Sequence, residues 1–366
     1  MPKTVAIIGR LDLDNFGDVL LGRIFTQWLK ECQLRVICPG ASEVVAKQMQ
    51  IDAIGDYSEA DAVIYVGGGY FGEPPGRFKA RMRWGRRLAK NIIFPGIKAI
   101  LKKKPVAIIA PGYGPITNPI ARIGSLILFY KAKQRSLRDT ESIRFLKSYG
   151  YFGNIIETAD SALSMTNTTL SDEANRIGEH WSQQAGDKKI VLLHLTQKAM
   201  NIPGAAHIID SIKQLMNDDR YLFIAATDQS GTQGARDTEA FYEKTFGNTG
   251  RFVTSHYESI ESLIGLIDVA HLAITTKLHV GILSLARGTP VMSFPYHDKT
   301  LRFYRQAGYE SFCLPYNRWT KSNIESQFTR FHELSDTRIN LEQALVDRAL
   351  NNKKLVEEFA KQIQAL

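Results

Sequence analysis

This chain has few cysteines, no long apolar run, and no acid in the one segment where basic residues crowd together. Its three cysteines, Cys32, Cys38 and Cys313, are odd in number and show no metal-ligand spacing. That argues against a disulfide framework and against a cysteine metal site, and it fits thiols kept in a reducing cytoplasm. No apolar run approaches the length of a membrane span. The start, Met1-Pro-Lys-Thr-Val-Ala-Ile-Ile-Gly9, is too short an apolar stretch for a secretory signal and leads straight into a strand pattern. Internal repeats and low-complexity tracts are also missing. Between Arg77 and Lys104 there are eleven Lys or Arg and no Asp or Glu, a local charge of +11 in a chain of net charge +9. The remainder carries −2, so the basic character is confined to one place and needs a local explanation.

What is present is a regular alternation. At 366 residues the chain is longer than one core usually supports, so two domains are expected. Short, continuous apolar runs at Thr4–Gly9, Leu34–Cys38, Ala62–Val66 and Val106–Ala110 read as strands buried on both faces of a parallel sheet. Ser136–Arg138 and Ile155–Glu157 close this half, with a helix over Thr140–Ser148. A polar linker from about Thr166 to Lys189, carrying a helix over Ser171–Gln184, precedes a second array. Its strands are Ile190–Leu195, Tyr221–Ala226, Phe252 and Leu272–Ile274, alternating with helices. The expectation is an α/β protein with two Rossmann-like domains facing across a cleft, over residues 1–165 and 187–320. The helical residues 321–366 are expected to pack back on the N-terminal domain.

The segment from Ala270 to Phe294 carries the most information. It reads as strand, polar loop, two-turn helix, Gly288-Thr-Pro290 stop and a further strand. Lys277 and His279 fall where strand passes to helix, at the carboxyl end of the sheet where ligands bind. The unsatisfied amides of a helix start favour an anion there. A lysine supplies a point charge for phosphate or carboxylate, and a histidine exchanges protons near neutral pH. On spacing alone, a histidine that merely bonds a backbone carbonyl fits equally well. Pro295-Tyr-His-Asp-Lys299 lies on the same rim, where His297 and Lys299 would add to an anion pocket and Asp298 would orient an imidazole, although by itself the segment also reads as a charged surface loop.

The N-terminal half offers its own rim. Gly67, Gly68 and Gly69 follow a strand and would let a ligand approach the backbone closely. Tyr113 stands between Gly112 and Gly114 in a Pro-bounded turn. Asn15, Gly17 and Asp18 bridge the first strand and helix, with Asp18 placed either to cap the helix or to act as a base. Arg138-Asp139 ends a strand, where the arginine would clamp a carboxylate and Asp139 would cap the next helix. Asp160 and the loop Thr227–Gly231 are further polar positions after strands.

Taken together, these pieces resemble the polysaccharide pyruvyl transferase family. The resemblance rests on Thr275-Thr-Lys-Leu-His279 with Gly288-Thr-Pro290 and Tyr296-His-Asp-Lys299, on Asn15-Phe-Gly-Asp18, on Gly67–Gly69, on Arg138-Asp139 and on Asp160. It spans roughly residues 5 to 308. One departure stands out, because the family usually has arginine where this chain has Lys277, and lysine loses the planar fork. The resemblance implies a GT-B-like fold. It also implies transfer of pyruvate from phosphoenolpyruvate onto two hydroxyls of a sugar in a surface polysaccharide or its lipid-linked precursor, giving a cyclic ketal and phosphate. His279 would be the general acid and Asp18 a base, while Lys277, Arg138, Lys299 and His297 would bind the donor. Asn15, Gly17, Gly67, Gly68, Gly69 and Tyr113 would form acceptor or rim loops. The scheme requires no metal and no organic cofactor. Two other readings fit the same sequence: a nucleotide-sugar glycosyltransferase on the same fold, and a non-catalytic membrane-associated relative.

In Arg77–Lys104, basic residues interleave with Trp84, Phe94 and aliphatic side chains, and Arg122–Lys133 extends the pattern. This pattern suits an anionic membrane surface, and it equally fits an ordinary amphipathic helix whose lysines are solvated. No nucleic-acid-binding motif accompanies it. The expected location is the cytoplasm, peripheral at the inner face of the membrane.

Overall fold

The computed structural model describes residues 2–74, 76–247 and 250–366. The chain divides into two compact units, residues 1–162 with 344–366 and residues 163–343. The first unit contains β1 (Thr4–Ile8), β2 (Arg35–Ile37), β3 (Ala62–Tyr65), β4 (Gly68–Phe71), β5 (Val106–Ile108), β6 (Pro111–Tyr113), β7 (Gln134–Leu137) and β8 (Ile156–Glu157). Six of these form one sheet in the order β2-β1-β3-β5-β7-β8, with every pair parallel. The apolar runs explain this arrangement, since each residue of β1 and β3 is buried, as a strand covered by helices on both faces must be.

The second unit contains β9 (Lys189–His194), β10 (Tyr221–Ala226), β11 (Phe252–Ser255), β12 (Leu272–Thr275) and β13 (Val291–Ser293). They form a second all-parallel sheet in the order β11-β10-β9-β12-β13. In both sheets the strand order reverses once, between β1 and β3 in the first unit and between β9 and β12 in the second. At such a reversal the connecting helices leave on opposite faces, which opens a crevice beyond the strand ends.

The last helix, Gln343–Gln364, lies against the first unit. There Asn352 donates to Ala159 O at 2.9 Å and to Ser161 Oγ at 3.0 Å, and Lys353 pairs with Glu31 at 2.7 Å. The shorter helices Lys321–Phe328 and Phe331–Ser335 belong to the second unit.

Some local expectations are corrected. The glycine triplet and the Pro111 turn are not rim loops alone, because β4 and β6 pair in parallel as a small second sheet. Gly68 takes φ +122°, a value open to glycine, and swings the chain from β3 into β4. Asp18 does not cap the first helix, Phe16–Glu31. Asn15 is the N-cap, and Asp18 stands in the first turn, where a carboxylate suits the helix dipole. The helix after β10, Gln233–Phe246, is started by Thr232, whose side chain accepts from Ala235 N.

Candidate functional site

The crevice at the β9/β12 reversal gathers charge from three strand ends. β9 ends on His194, paired in register with Thr275, the last residue of β12. Thr275 Oγ1 accepts from Lys277 N at 3.0 Å, which turns the chain out of the strand and makes Lys277 the N-cap of the helix Leu278–Ala286. A lysine has no acceptor with which to cap, so the first amides of that helix keep their partial positive charge beside an ammonium. Lys277 Nζ donates to Asp228 Oδ2 at 2.9 Å, and Asp228 follows β10. His194 Nε2 lies 3.9 Å from Asp228 Oδ1.

The electrostatics of this cluster are set by burial. His194 is 1% exposed, and burial drives its pKa down to about 4 against the opposing pull of Asp228. The ring is therefore neutral at pH 7. Its Nδ1 stands 3.4 Å from the Thr275 hydroxyl, while its buried Nε2 has no hydrogen-bond partner. Burial alone would raise the Asp228 carboxyl, but the Lys277 ammonium, which also donates a hydrogen bond to it, outweighs burial and holds that carboxyl below the usual range. A buried nitrogen without a partner is costly to fold. His194 is among the residues lining a cavity of about 350 Å³, together with Thr196, Lys198, Asn201, Asp228, Lys277 and Tyr296.

The residues expected from sequence fall in several places. Lys277 lines the cavity. His279, two residues on in the same helix, is half-buried and is not among the lining residues. His297 caps the helix Asp298–Gln306, and its ring lies 4.3 Å from that of Tyr296, so it joins the cavity wall at second hand. Lys299 is exposed in the first turn of that helix. The side chain of Asp298 lies outside the described residues.

In the first unit, the place where a Cβ on Gly68 would stand is 3.4 Å from Asp18 Oδ1, so the Asp18 carboxylate lies against the bare backbone of the triplet. Gly67 is buried, and Gly69 is exposed. Gly17 is buried in the first helix, and Asn15 is half-buried. Arg138 is buried and donates from Nη1 to Asp160 Oδ2 at 2.8 Å. Its guanidinium lies under Gly112, where a Cβ would come within 2.9 Å of Nε. Tyr113 is not a rim contact. It is 2% exposed, shares a 2.7 Å hydrogen bond with Ser125, and packs against Phe71 and Phe129. Pairing of β6 with β4 draws it into the core.

A second cavity, of about 550 Å³, opens where β1 and β2 end. Arg10, Asp12, Tyr57, Trp84, Arg87 and Asn91 are among its walls, and the Arg10 guanidinium lies 5.0 Å from the Trp84 ring. Sequence reading missed His194 and the role of Asp228. The signal available was a polar residue closing the apolar run Ile190–Leu193, just as Thr275 closes Leu272–Ile274.

Comparison with known proteins fits this geometry. S. aureus MnaA, solved with UDP, superposes with a TM-score of 0.65 at 12% identity, covering 100% of this chain and 98% of that one. The UDP-GlcNAc 2-epimerase of Neisseria meningitidis, bound to UDP-GlcNAc, gives 0.63 at 13%, covering 98% and 100%. The Methanocaldococcus jannaschii enzyme of the same name gives 0.64 at 12%, covering all of both chains. At these identities the likeness shows the fold, which is α/β and GT-B-like. In sequence, the amylovoran biosynthesis protein AmsJ of Erwinia amylovora is 23% identical over 262 residues, 68% of this chain and 60% of AmsJ. The chain thus matches less than two thirds of that relative's length. The sequence model of one family covers residues 15–298, from the Asn15 cap through the glycine triplet and the Lys277 helix start to Asp298. By that match, the chain belongs to the polysaccharide pyruvyl transferase family.

Proposed function

We propose that the protein transfers pyruvate from phosphoenolpyruvate to two hydroxyls of one sugar in a surface polysaccharide or its lipid-linked precursor. The observation that carries this reading is Lys277, a cation at the uncapped start of a helix, within the stretch the family model covers and at a strand-order reversal. Protonation of the donor's methylene carbon turns it into a methyl group and leaves an electrophilic centre at the neighbouring carbon. One sugar hydroxyl adds to that carbon, the C–O bond to phosphate breaks, and the second hydroxyl closes the ketal. The two hydroxyl protons leave, one replacing the proton spent on the methyl group and the other departing with phosphate.

His279 is assigned the carbon protonation, and Asp18 the hydroxyl proton. Lys277 and the helix-start amides stabilise the departing phosphate, with His297, Lys299 and Arg138 as further donor cations. Asn15, Gly17 and the triplet Gly67–Gly69 remain assigned to the acceptor rim. The first-unit cavity suits the acceptor, because aromatic faces such as Trp84 and Tyr57 pack on sugar rings while Asp12 and Asn91 bond hydroxyls. The test is phosphate release from phosphoenolpyruvate with a pyruvylated sugar as product. Nucleotide release from sugar nucleotides, with phosphoenolpyruvate untouched, would overturn the donor assignment in favour of a glycosyltransferase.

A further inference from the structure

From Pro74 to Arg138 the sequence holds sixteen Lys or Arg and no Asp or Glu, so the remainder of the chain carries −7. The same region gathers exposed apolar side chains. Of fourteen large ones among the described residues, nine lie between Phe78 and Ile156. The helical run Phe78–Leu88, the π-helical turn Ala89–Ile93 and the helix Phe94–Leu101 lie along the helix Pro119–Lys131. Glycines set the approach. A Cβ on Gly85 would fall 2.2 Å from Asn118 Cβ, one on Gly124 would fall 2.6 Å from Ile93 Cγ2, and one on Gly96 would fall 2.9 Å from Leu128 Cδ2.

The helix Pro119–Lys131 buries Ala121, Ser125, Leu128 and Phe129 and turns Ile120, Ile123, Ile127 and Tyr130 to solvent. Those four are spaced by three, four and three residues, which makes one stripe. A surface helix is ordinarily polar on that side. Gly124 borders the stripe and meets Ile93, so the exposed Phe94 and Leu101 of the neighbouring helix flank it. At its far end the Tyr130 hydroxyl donates to Gly150 O and accepts from Phe152 N, both at 2.9 Å. This holds Phe152 in place with 87% of its surface exposed. Lys98, Lys102, Lys103 and Lys131 stand exposed around the patch.

We infer that this face docks on a bilayer surface containing anionic phospholipid. A second copy of the chain is a poor occupant, because two-fold pairing would set the lysines against themselves. An anionic bilayer accepts both parts, with the isoleucines and Phe152 entering the acyl boundary while the lysines meet headgroups. This deepens the lipid-linked reading of the acceptor but does not depend on it, since docking is measured without donor or acceptor.

The experiment is co-sedimentation of the full chain with vesicles of phosphatidylcholine, alone or mixed with phosphatidylglycerol. Binding is expected to the mixed vesicles, weakening with salt. Ile123→Ser/Ile127→Ser/Phe152→Ser should lose at least about tenfold in affinity. Lys98→Gln/Lys102→Gln/Lys103→Gln should lose about fivefold per charge. Both variants change exposed residues, so their thermal melts should match wild type. The inference falls if wild type ignores anionic vesicles or if both variants bind as wild type does. It also falls if sedimentation velocity shows the apolar substitutions dissolving a dimer, which would give the face to a second copy.

Discussion

The two strand-order reversals share a topology and differ in what lines them. In the second unit the strand ends carry titrating side chains, and His194, Asp228 and Lys277 hold one another beside a cavity. In the first unit the cavity opens beside the reversal, at the ends of β1 and β2. Arg10, Asp12 and Arg87 stand there among Tyr57 and Trp84, with no buried charge cluster between them among the described residues. The buried ion pair, Arg138 with Asp160, lies apart, beneath Gly112. The first arrangement fixes a cation at the mouth of a helix start, held by a buried carboxylate. The second sets indole and phenol among surface charges. The fold supplies the same place twice, and the side chains decide the chemistry.

The sharpest way to break this contrast is to remove its proposed acid. His279→Ala is expected to lower turnover by roughly 10²–10⁴-fold while leaving the circular dichroism melt unchanged. Undiminished turnover would move the proton donor elsewhere. Arg138→Ala tests the first unit. It strips a buried carboxylate of its charge partner, so it should destabilise by about 3–5 kcal/mol, and Asp160→Asn in the same chain should recover part of that. If urea unfolding barely moves while phosphoenolpyruvate affinity collapses, Arg138 is a donor cation rather than a strut, and the two units divide the work differently.

His194 gives the contrast a pH axis. Its native pKa, about 4, lies below its ordinary 6.5. Between these values the unfolded chain binds more protons than the native one, so stability rises with pH there. The contribution is complete above pH 6.5 and is lost as pH falls toward 4, roughly 3 kcal/mol across the window. Urea midpoints measured from pH 7 to 4.5 should therefore fall more steeply in wild type than in His194→Gln. Parallel slopes would mean that the imidazole is not buried neutral.

Most of the sheet was legible in the sequence because strands buried on both faces must be continuously apolar, as Thr4–Ile8 and Tyr221–Ala226 are. Lys277 was legible too, since strand, turn and helix follow one another directly. His194 was not, because it matters only once β9 lies beside β12, and about eighty residues separate them. Tyr113 misled for the same kind of reason. Two flanking glycines look like a loop until β6 pairs with β4 and carries the ring against Phe71. Local pattern fixes elements, whereas a site assembled by non-local pairing becomes visible only with the topology.

The smallest expected effect bears on the residue that departs from its family. Lys277→Ala leaves Asp228 in a buried place without its ammonium, but the Lys277 side chain is 24% exposed, so solvent shares the loss. About 2 kcal/mol of destabilisation is expected, with Asp228→Asn in the same chain restoring much of it. Phosphoenolpyruvate affinity should fall with the charge. Lys277→Arg is the sharper probe. Its fork can span both Asp228 oxygens, so stability should stay within about 1 kcal/mol of wild type. Donor affinity, read by calorimetry, should equal or exceed that of the lysine enzyme. An arginine variant that folds normally and binds phosphoenolpyruvate more weakly would show that the crevice is shaped for a point charge. In that case lysine at this position marks a changed donor rather than a tolerated substitution.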